Sequence, residues 1–103
     1  MRDGVVLLLF DVSSETKNNR KEYRTLVKTL KREGYLSLQK SVFYKYIRNI
    51  SMYPYEVRRI KELRITEGDV YSLPLSFRLF SKMIAIHGEL PDMERIKTAF
   101  LYY

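Results

Sequence analysis

The chain offers few side chains for bond-making chemistry, so those it has can be weighed one at a time. It has no cysteine, which removes thiol nucleophiles and thiolate metal sites. Its one histidine, His87, has no acid partner near it in sequence and reads first as structural. The four glycines, at positions 4, 34, 68 and 88, are scattered, so there is no glycine-rich phosphate loop. What remains is Asp11. It follows six consecutive apolar residues, Val5-Val6-Leu7-Leu8-Leu9-Phe10, the pattern of a strand buried on both faces. A carboxylate at the rim of a rigid sheet is a hard oxygen donor suited to Mg²⁺, which usually takes one or two carboxylates plus water and phosphate. A single Asp11 is too little for a metal site. Two of them, brought together by a two-fold axis near the strand end, could share one ion that activates water against a phosphodiester. The competing reading is that Asp11 caps Val12-Ser13-Ser14 through local hydrogen bonds. The residues alone leave both readings open.

Charge supplies the second line of evidence. Nineteen Lys and Arg against twelve Asp and Glu give a formal charge of +7. Such a surplus on a small chain points to a polyanionic partner, nucleic acid before a membrane surface. Its distribution matters more than its size. A helix is expected from Asn19 to Glu33, stopped by Gly34. Tyr23, Leu26, Val27 and Leu30 form its apolar stripe, at spacings of i, i+3, i+4 and i+7. At about 100° per residue, Arg20, Arg24, Lys28 and Lys31 form a basic stripe beside it, while Glu22 and Glu33 fall on the other side. Lys and Arg are ordinary on solvated helix faces, but four aligned with the acids segregated lean toward a phosphate-facing surface. A second cluster, Arg58, Arg59 and Lys61, adds to it.

The elements that must position these groups can be read in order. At 103 residues the chain is one domain, large enough to fold without disulfide or structural metal. No signal peptide and no membrane span are recognisable, so a soluble cytoplasmic protein is expected. After Val5–Phe10, strands are expected at Tyr35–Leu38, Val42–Ile47 and Asp69–Leu73, the last ending before Pro74. Ser51 is expected to cap a second helix with Pro54 in its first turn. Thr66-Glu67-Gly68 reads as a turn. Phe77 and Phe80 need cover, and Lys82–His87 reads as a short fifth strand closed by Gly88. Residues 1–88 then form the domain. Residues 89–103 form a tail, weakly helical from Met93 to Leu101, that packs on the domain or on a partner subunit.

Strand, helix, strand, strand, helix, strand is an α+β, ferredoxin-like βαββαβ order with an extra C-terminal strand. It predicts an antiparallel sheet with two helices on one face. Nothing in the chain is expected to cover the other face, so a homodimer through that face is expected.

The motifs Leu9-Phe10-Asp11-Val12 and Gln39-Lys40-Ser41-Val42-Phe43, with the Arg20-to-Gly34 helix between them, resemble the CRISPR-associated "Cas two" family. Lys82-Met83-Ile84-Ala85-Ile86-His87-Gly88 is similar to the variety found beside single-protein DNA-cleaving effectors. The likeness runs over about residues 5–88. It implies a subunit of spacer acquisition: a homodimer that bridges two dimers of the integrase subunit, "Cas one". Such a dimer holds protospacer duplex DNA on its basic surface without reading bases. The resemblance also implies a Mg²⁺-dependent endonuclease of RNA or DNA, with Asp11 as catalytic metal ligand paired across the dimer. Phosphate contacts would come from Arg20, Arg24, Lys28 and Lys31, joined by Arg58, Arg59 and Lys61. A toxin-like ribonuclease of related fold, or a ferredoxin-like regulatory dimer, are the alternatives.

Overall fold

The computed structural model describes residues 2–11, 17–65 and 68–101. Its centre is strand β1 (Gly4–Asp11), hydrogen-bonded on both edges. One neighbour is β3 (Val42–Ile47) and the other is β4 (Asp69–Ser76), both antiparallel to it. Strand β2 (Leu36–Gln39) pairs with β3, giving the ferredoxin-like order β2-β3-β1-β4. Helices α1 (Lys17–Arg32) and α2 (Tyr53–Lys61) both lie on one face. The ferredoxin-like α+β class predicted from the sequence is the fold observed, without the extra C-terminal strand.

Because side chains alternate along a strand, β1 sorts its apolar run onto two faces. Val6, Leu8 and Phe10 point to the helices and meet Leu26 and Leu30 of α1, Ile60 of α2, Phe43 and Ile47 of β3, and Tyr35. Val5 points the other way, to a second cluster with Tyr44 and Tyr46.

Helix α1 ends by the chemistry its sequence predicts. The Tyr35 N–H reaches the Leu30 carbonyl at 2.9 Å and the Gly34 N–H reaches that of Lys31 at 3.1 Å. This paired closure needs a left-handed residue, which Gly34 supplies with φ 97°. Tyr35 and Leu30 then bury against each other's cluster, so cap and core close together. Helix α2 begins differently from expectation. Asn49, not Ser51, does the capping: its side chain accepts the Ser51 N–H at 3.0 Å and starts a 3₁₀ turn over Ile50–Met52. Ser51 is thereby consumed inside the turn, and α2 starts after Met52 with Pro54 in its first turn.

Three expectations for the C-terminal half are corrected. Strand β4 does not stop before Pro74 but runs through it to Ser76, with Pro74 opposite Val6. A proline is tolerated there because β4 is an edge strand and its missing N–H costs no ladder bond. Next, Lys82–His87 forms no strand. Ser76 caps a short helix α3 (Phe77–Phe80), accepting the Leu79 N–H at 3.1 Å, and the turn carries the chain off the sheet edge. Beyond it Ile84 and Ile86 are exposed with no strand beside them. Finally, the second sheet face is not left bare by the chain. Phe77 and Phe80 of α3, Met83, and Met93 and Ile96 of helix α4 (Met93–Leu101) cover one end of it. Phe80 packs on Tyr44 and Phe77 stands edge-on to Tyr46, each at 5.3 Å between ring centres. Among the described residues, no helix is long and apolar enough to cross a membrane.

The helix face also holds a buried acid. Glu56 is only 3 % exposed, yet its carboxylate accepts from Lys45 Nζ at 2.9 Å and from the Tyr35 hydroxyl at 3.4 Å. The Lys45 ammonium also lies over the Tyr35 ring, 5.7 Å from its centre. Burial first, then the Glu56 charge, pushes the Tyr35 phenol well above its ordinary range. Removing one partner of such a pair strands a buried charge, which costs about 3–5 kcal/mol, whereas replacing both by apolar groups is often neutral. Lys45→Met should therefore lower unfolding stability by about that amount in urea titrations at pH 7. The double variant Lys45→Met/Glu56→Leu should recover most of the loss.

Candidate active site and nucleic-acid interface

Asp11 is the last residue of β1 and is exposed. By strand alternation it shares a face with Val5, Leu7 and Leu9, the face away from α1 and α2. It does not stand alone there. The β1–β4 register sets Asp11 directly opposite Asp69, the first residue of β4. Facing side chains in an antiparallel pair have Cβ atoms about 4.5–5.5 Å apart. Two exposed carboxylates of one chain thus sit side by side at the rim. Sequence reasoning missed Asp69, although it opens the fourth expected strand; pairing that strand end with the end of the first would have found it. The loop Val12-Ser13-Ser14, which Asp11 was alternatively expected to cap, lies outside the described residues, as do Thr66 and Glu67 of the expected turn.

The donor set suits a hard cation. Two carboxylates can hold Mg²⁺ with water and phosphate oxygens completing its shell. Among the described residues no group of three or more His, Cys, Asp and Glu side chains gathers for a metal. His87 is exposed in the irregular segment after α3. Tyr44 and Tyr46 do not offer a base at neutral pH: burial raises the Tyr44 phenol, and burial with the Asp3 hydrogen bond pushes Tyr46 up to about 12.

Beside the two acids the sheet face is apolar and open. Leu9, Tyr71 and Leu73 are 36 %, 66 % and 48 % exposed. Leu9 faces Tyr71 in the ladder, and Leu73 faces Leu7 one step further on. Asp11 and Asp69 therefore border an uncovered hydrophobic surface, not open water on every side.

The basic residues divide into two groups. Arg20, Arg24, Lys28 and Lys31 are all exposed along α1. Tyr23, which borders this stripe, donates its hydroxyl to the Lys40 carbonyl at 2.6 Å, which places that flank of α1 over the β2–β3 turn. Lys40, exposed in that turn, joins the stripe; the sequence reading named it only within the motif Gln39-Lys40-Ser41-Val42-Phe43. On α2, Arg58 and Lys61 are exposed. Arg59 has a different task. Its guanidinium donates to Glu33 at 2.6 Å and lies 3.6 Å from Glu62, so it ties α2 to the end of α1. The Glu33 hydrogen bond raises its pKa further. Since Glu33 lies across α1 from the stripe, the α2 cations do not continue the same surface.

Comparison with known proteins follows this geometry closely. The family model described as CRISPR associated protein Cas2 matches residues 4–83, from β1 through α3. A protein of Streptococcus mutans serotype c (strain NN2025) named CRISPR-associated endoribonuclease Cas2 is 33 % identical over 84 residues, covering 82 % of this chain and 78 % of the relative. A protein of the same name from Ligilactobacillus salivarius (strain UCC118) is 31 % identical over 84 residues, covering 82 % and 83 %. That of Campylobacter jejuni (strain NCTC 11168) is 28 % identical over 91 residues, covering 88 % and 64 %.

Two like charges placed directly opposite on a strand pair destabilise it by about 0.2–1 kcal/mol. Asp69→Asn should therefore raise the unfolding free energy by a few tenths of a kcal/mol, roughly the lower half of that range, in low-salt buffer without divalent ions. In about 0.5 M salt the gain should vanish, because screening has already removed the repulsion. Paired urea titrations of the two proteins check this.

Proposed function

The chain belongs to the CRISPR-associated Cas2 family, and from that premise we propose that it acts in CRISPR spacer acquisition as a homodimer that binds duplex DNA. The observation that carries this reading is the α1 stripe. Arg20, Arg24, Lys28 and Lys31 present positive charge along one rigid flank, with Lys40 beside them and Glu33 turned away toward α2. Side chains of this kind hold phosphates and fix position without reading bases. The dimer presents two such flanks and can thereby bridge copies of the integrase subunit, Cas one, while holding a protospacer between them. Arg58 and Lys61 serve as outlying contacts; Arg59 serves the fold.

Binding of this type is governed by counterion release. With four stripe cations from each of two copies, duplex affinity should fall about 10³–10⁵-fold between 50 and 200 mM salt, with little dependence on sequence. Fluorescence anisotropy with two unrelated duplexes measures both. A flat salt response would overturn the reading.

A second reading concerns chemistry, and the rim carboxylates favour it. The relatives are named endoribonucleases, and we extend phosphodiester hydrolysis to this chain with Asp11 as the essential residue. Mg²⁺ held at this rim would polarise a phosphoryl oxygen and acidify the attacking water. The chain's own residues do the rest. Pairing with β4 holds Asp11 at the end of β1, and Asp69 places a second carboxylate beside it. The open surface of Leu9, Tyr71 and Leu73 lets a second copy approach and add its own acids. RNA as well as DNA can meet this site, since its recognition is through phosphate. Asp11→Asn should abolish Mg²⁺-dependent cleavage of RNA while leaving duplex affinity within about twofold, because α1 is untouched. Cleavage that persists in the purified variant would remove Asp11 from the chemistry.

A further inference from the structure

The tail contains a device that neither the family nor the rim acids account for. Helix α4 lies beyond residues 4–83 that match the family model. It starts where Asp92 caps it, accepting the Arg95 N–H at 3.1 Å, and it settles on the second sheet face. Three of its described side chains hold it there. Ile96 is buried and Met93 is partly so. The Lys97 ammonium stands 5.6 Å from the centre of the Phe77 ring and 3.6 Å from Asp3 Oδ2. That same Asp3 oxygen accepts the Tyr46 hydroxyl at 2.8 Å, so one carboxylate links β3 to α4. Past Met83, residues 84–92 are irregular and mostly exposed, with Ile86 98 % exposed. Nine residues reach roughly 30 Å when extended, enough for α4 to leave its seat without moving α3.

What α4 covers is continuous with what lies open. Along β1 the same face passes from Val5, fully buried, through Leu7 to Leu9, 36 % exposed. Along β4 it passes from Leu75, partly buried, to exposed Leu73 and Tyr71. One apolar surface is therefore capped at one end by α3 and α4 and bare at the other. A second copy approaching the bare end to bring its Asp11 near the first meets α4 as the movable part of that cap.

We propose that α4 is a displaceable cover that competes with a second copy of the chain for this sheet face, so that its seating sets how tightly the protein dimerises. This rests on the dimer reading given above. The seated state offers a partner only the Leu9, Tyr71 and Leu73 end; the released state adds the surface around Tyr46 and Phe77. The Asp3–Lys97 pair is exposed enough to be weakened by salt, which makes the cover responsive to ionic conditions.

Sedimentation equilibrium of the full-length protein tests this. Ile96→Asp and Lys97→Glu each remove one part of the hold, and each should tighten dimerisation, about tenfold for Ile96→Asp. The exchanged double variant Asp3→Lys/Lys97→Asp should return the dissociation constant to within about twofold of the parent, which generic stickiness would not do. Hydrogen exchange should show α4 amides losing protection in the single variants while those of β1 keep theirs, establishing an intact fold. Unchanged or weaker dimerisation with α4 released would overturn the proposal and leave the dimer standing. Absence of any dimer, in the parent and in every variant, would overturn the dimer reading and this proposal together.

Discussion

The structure depends on the double burial of β1. A strand of this composition must be covered on both faces and paired on both edges, and each requirement recruits a different part of the chain. Pairing recruits β3 and β4; the even-numbered side chains recruit α1 and α2; the odd-numbered ones recruit α3 and α4. The second face is the harder to satisfy, because the chain reaches it last and covers it with the four-residue α3 and with α4. Its incomplete cover lies next to Asp11. The rim acid owes its position to alternation, which sends residue 11 to the same side as Leu9 and away from the helices.

Three acids elsewhere among the described residues are spent on joining elements. Glu56 is fixed by Lys45 and Tyr35, Glu33 by Arg59, and Asp3 by Lys97 and Tyr46. Each of these pairs joins two elements that are distant in sequence. This sorting leaves the stripe on α1 without acids along its own flank, and strand register leaves Asp11 and Asp69 as neighbours at the rim. A net charge of +7 understates how uneven the surface is. Paired charges cancel inside the molecule; what remains includes a positive flank on α1, the exposed Arg58 and Lys61 of α2, and a negative strand end.

How much of this was legible in the sequence follows from the range of the forces involved. The apolar run of β1, the strand Val42–Ile47 and the stripe of α1 declare themselves within a few residues, and the ferredoxin-like order follows from them. Glu56 carries no local sign of burial, because its partners, Tyr35 and Lys45, sit in other elements. Asp69 became a neighbour of Asp11 only through strand register. The Lys82–His87 segment carries a strand's alternation, yet alternation does not supply an edge to pair with, and α3 turns the chain away from one. Arg59 looked like its neighbours Arg58 and Lys61; only the packing of α2 against Glu33 separates it from them.

One residue goes against local preference, and it sharpens the view of where this fold tolerates cost. Arg64 holds a left-handed conformation, φ 51°, just past α2, where glycine would be unstrained. Such a conformation costs a residue with a Cβ roughly 1–2 kcal/mol. Gly34 meets the same demand past α1 at no such cost, so the fold has a glycine at one helix end and a cation at the other. The α1 end closes directly onto Tyr35 and the buried Glu56 cluster, where strain would add to the cost of a buried charge. The α2 end is exposed, and there a strained arginine adds to the positive surface while the core stays unperturbed. Strain is thus placed where it meets solvent and kept away from the residues that hold β1.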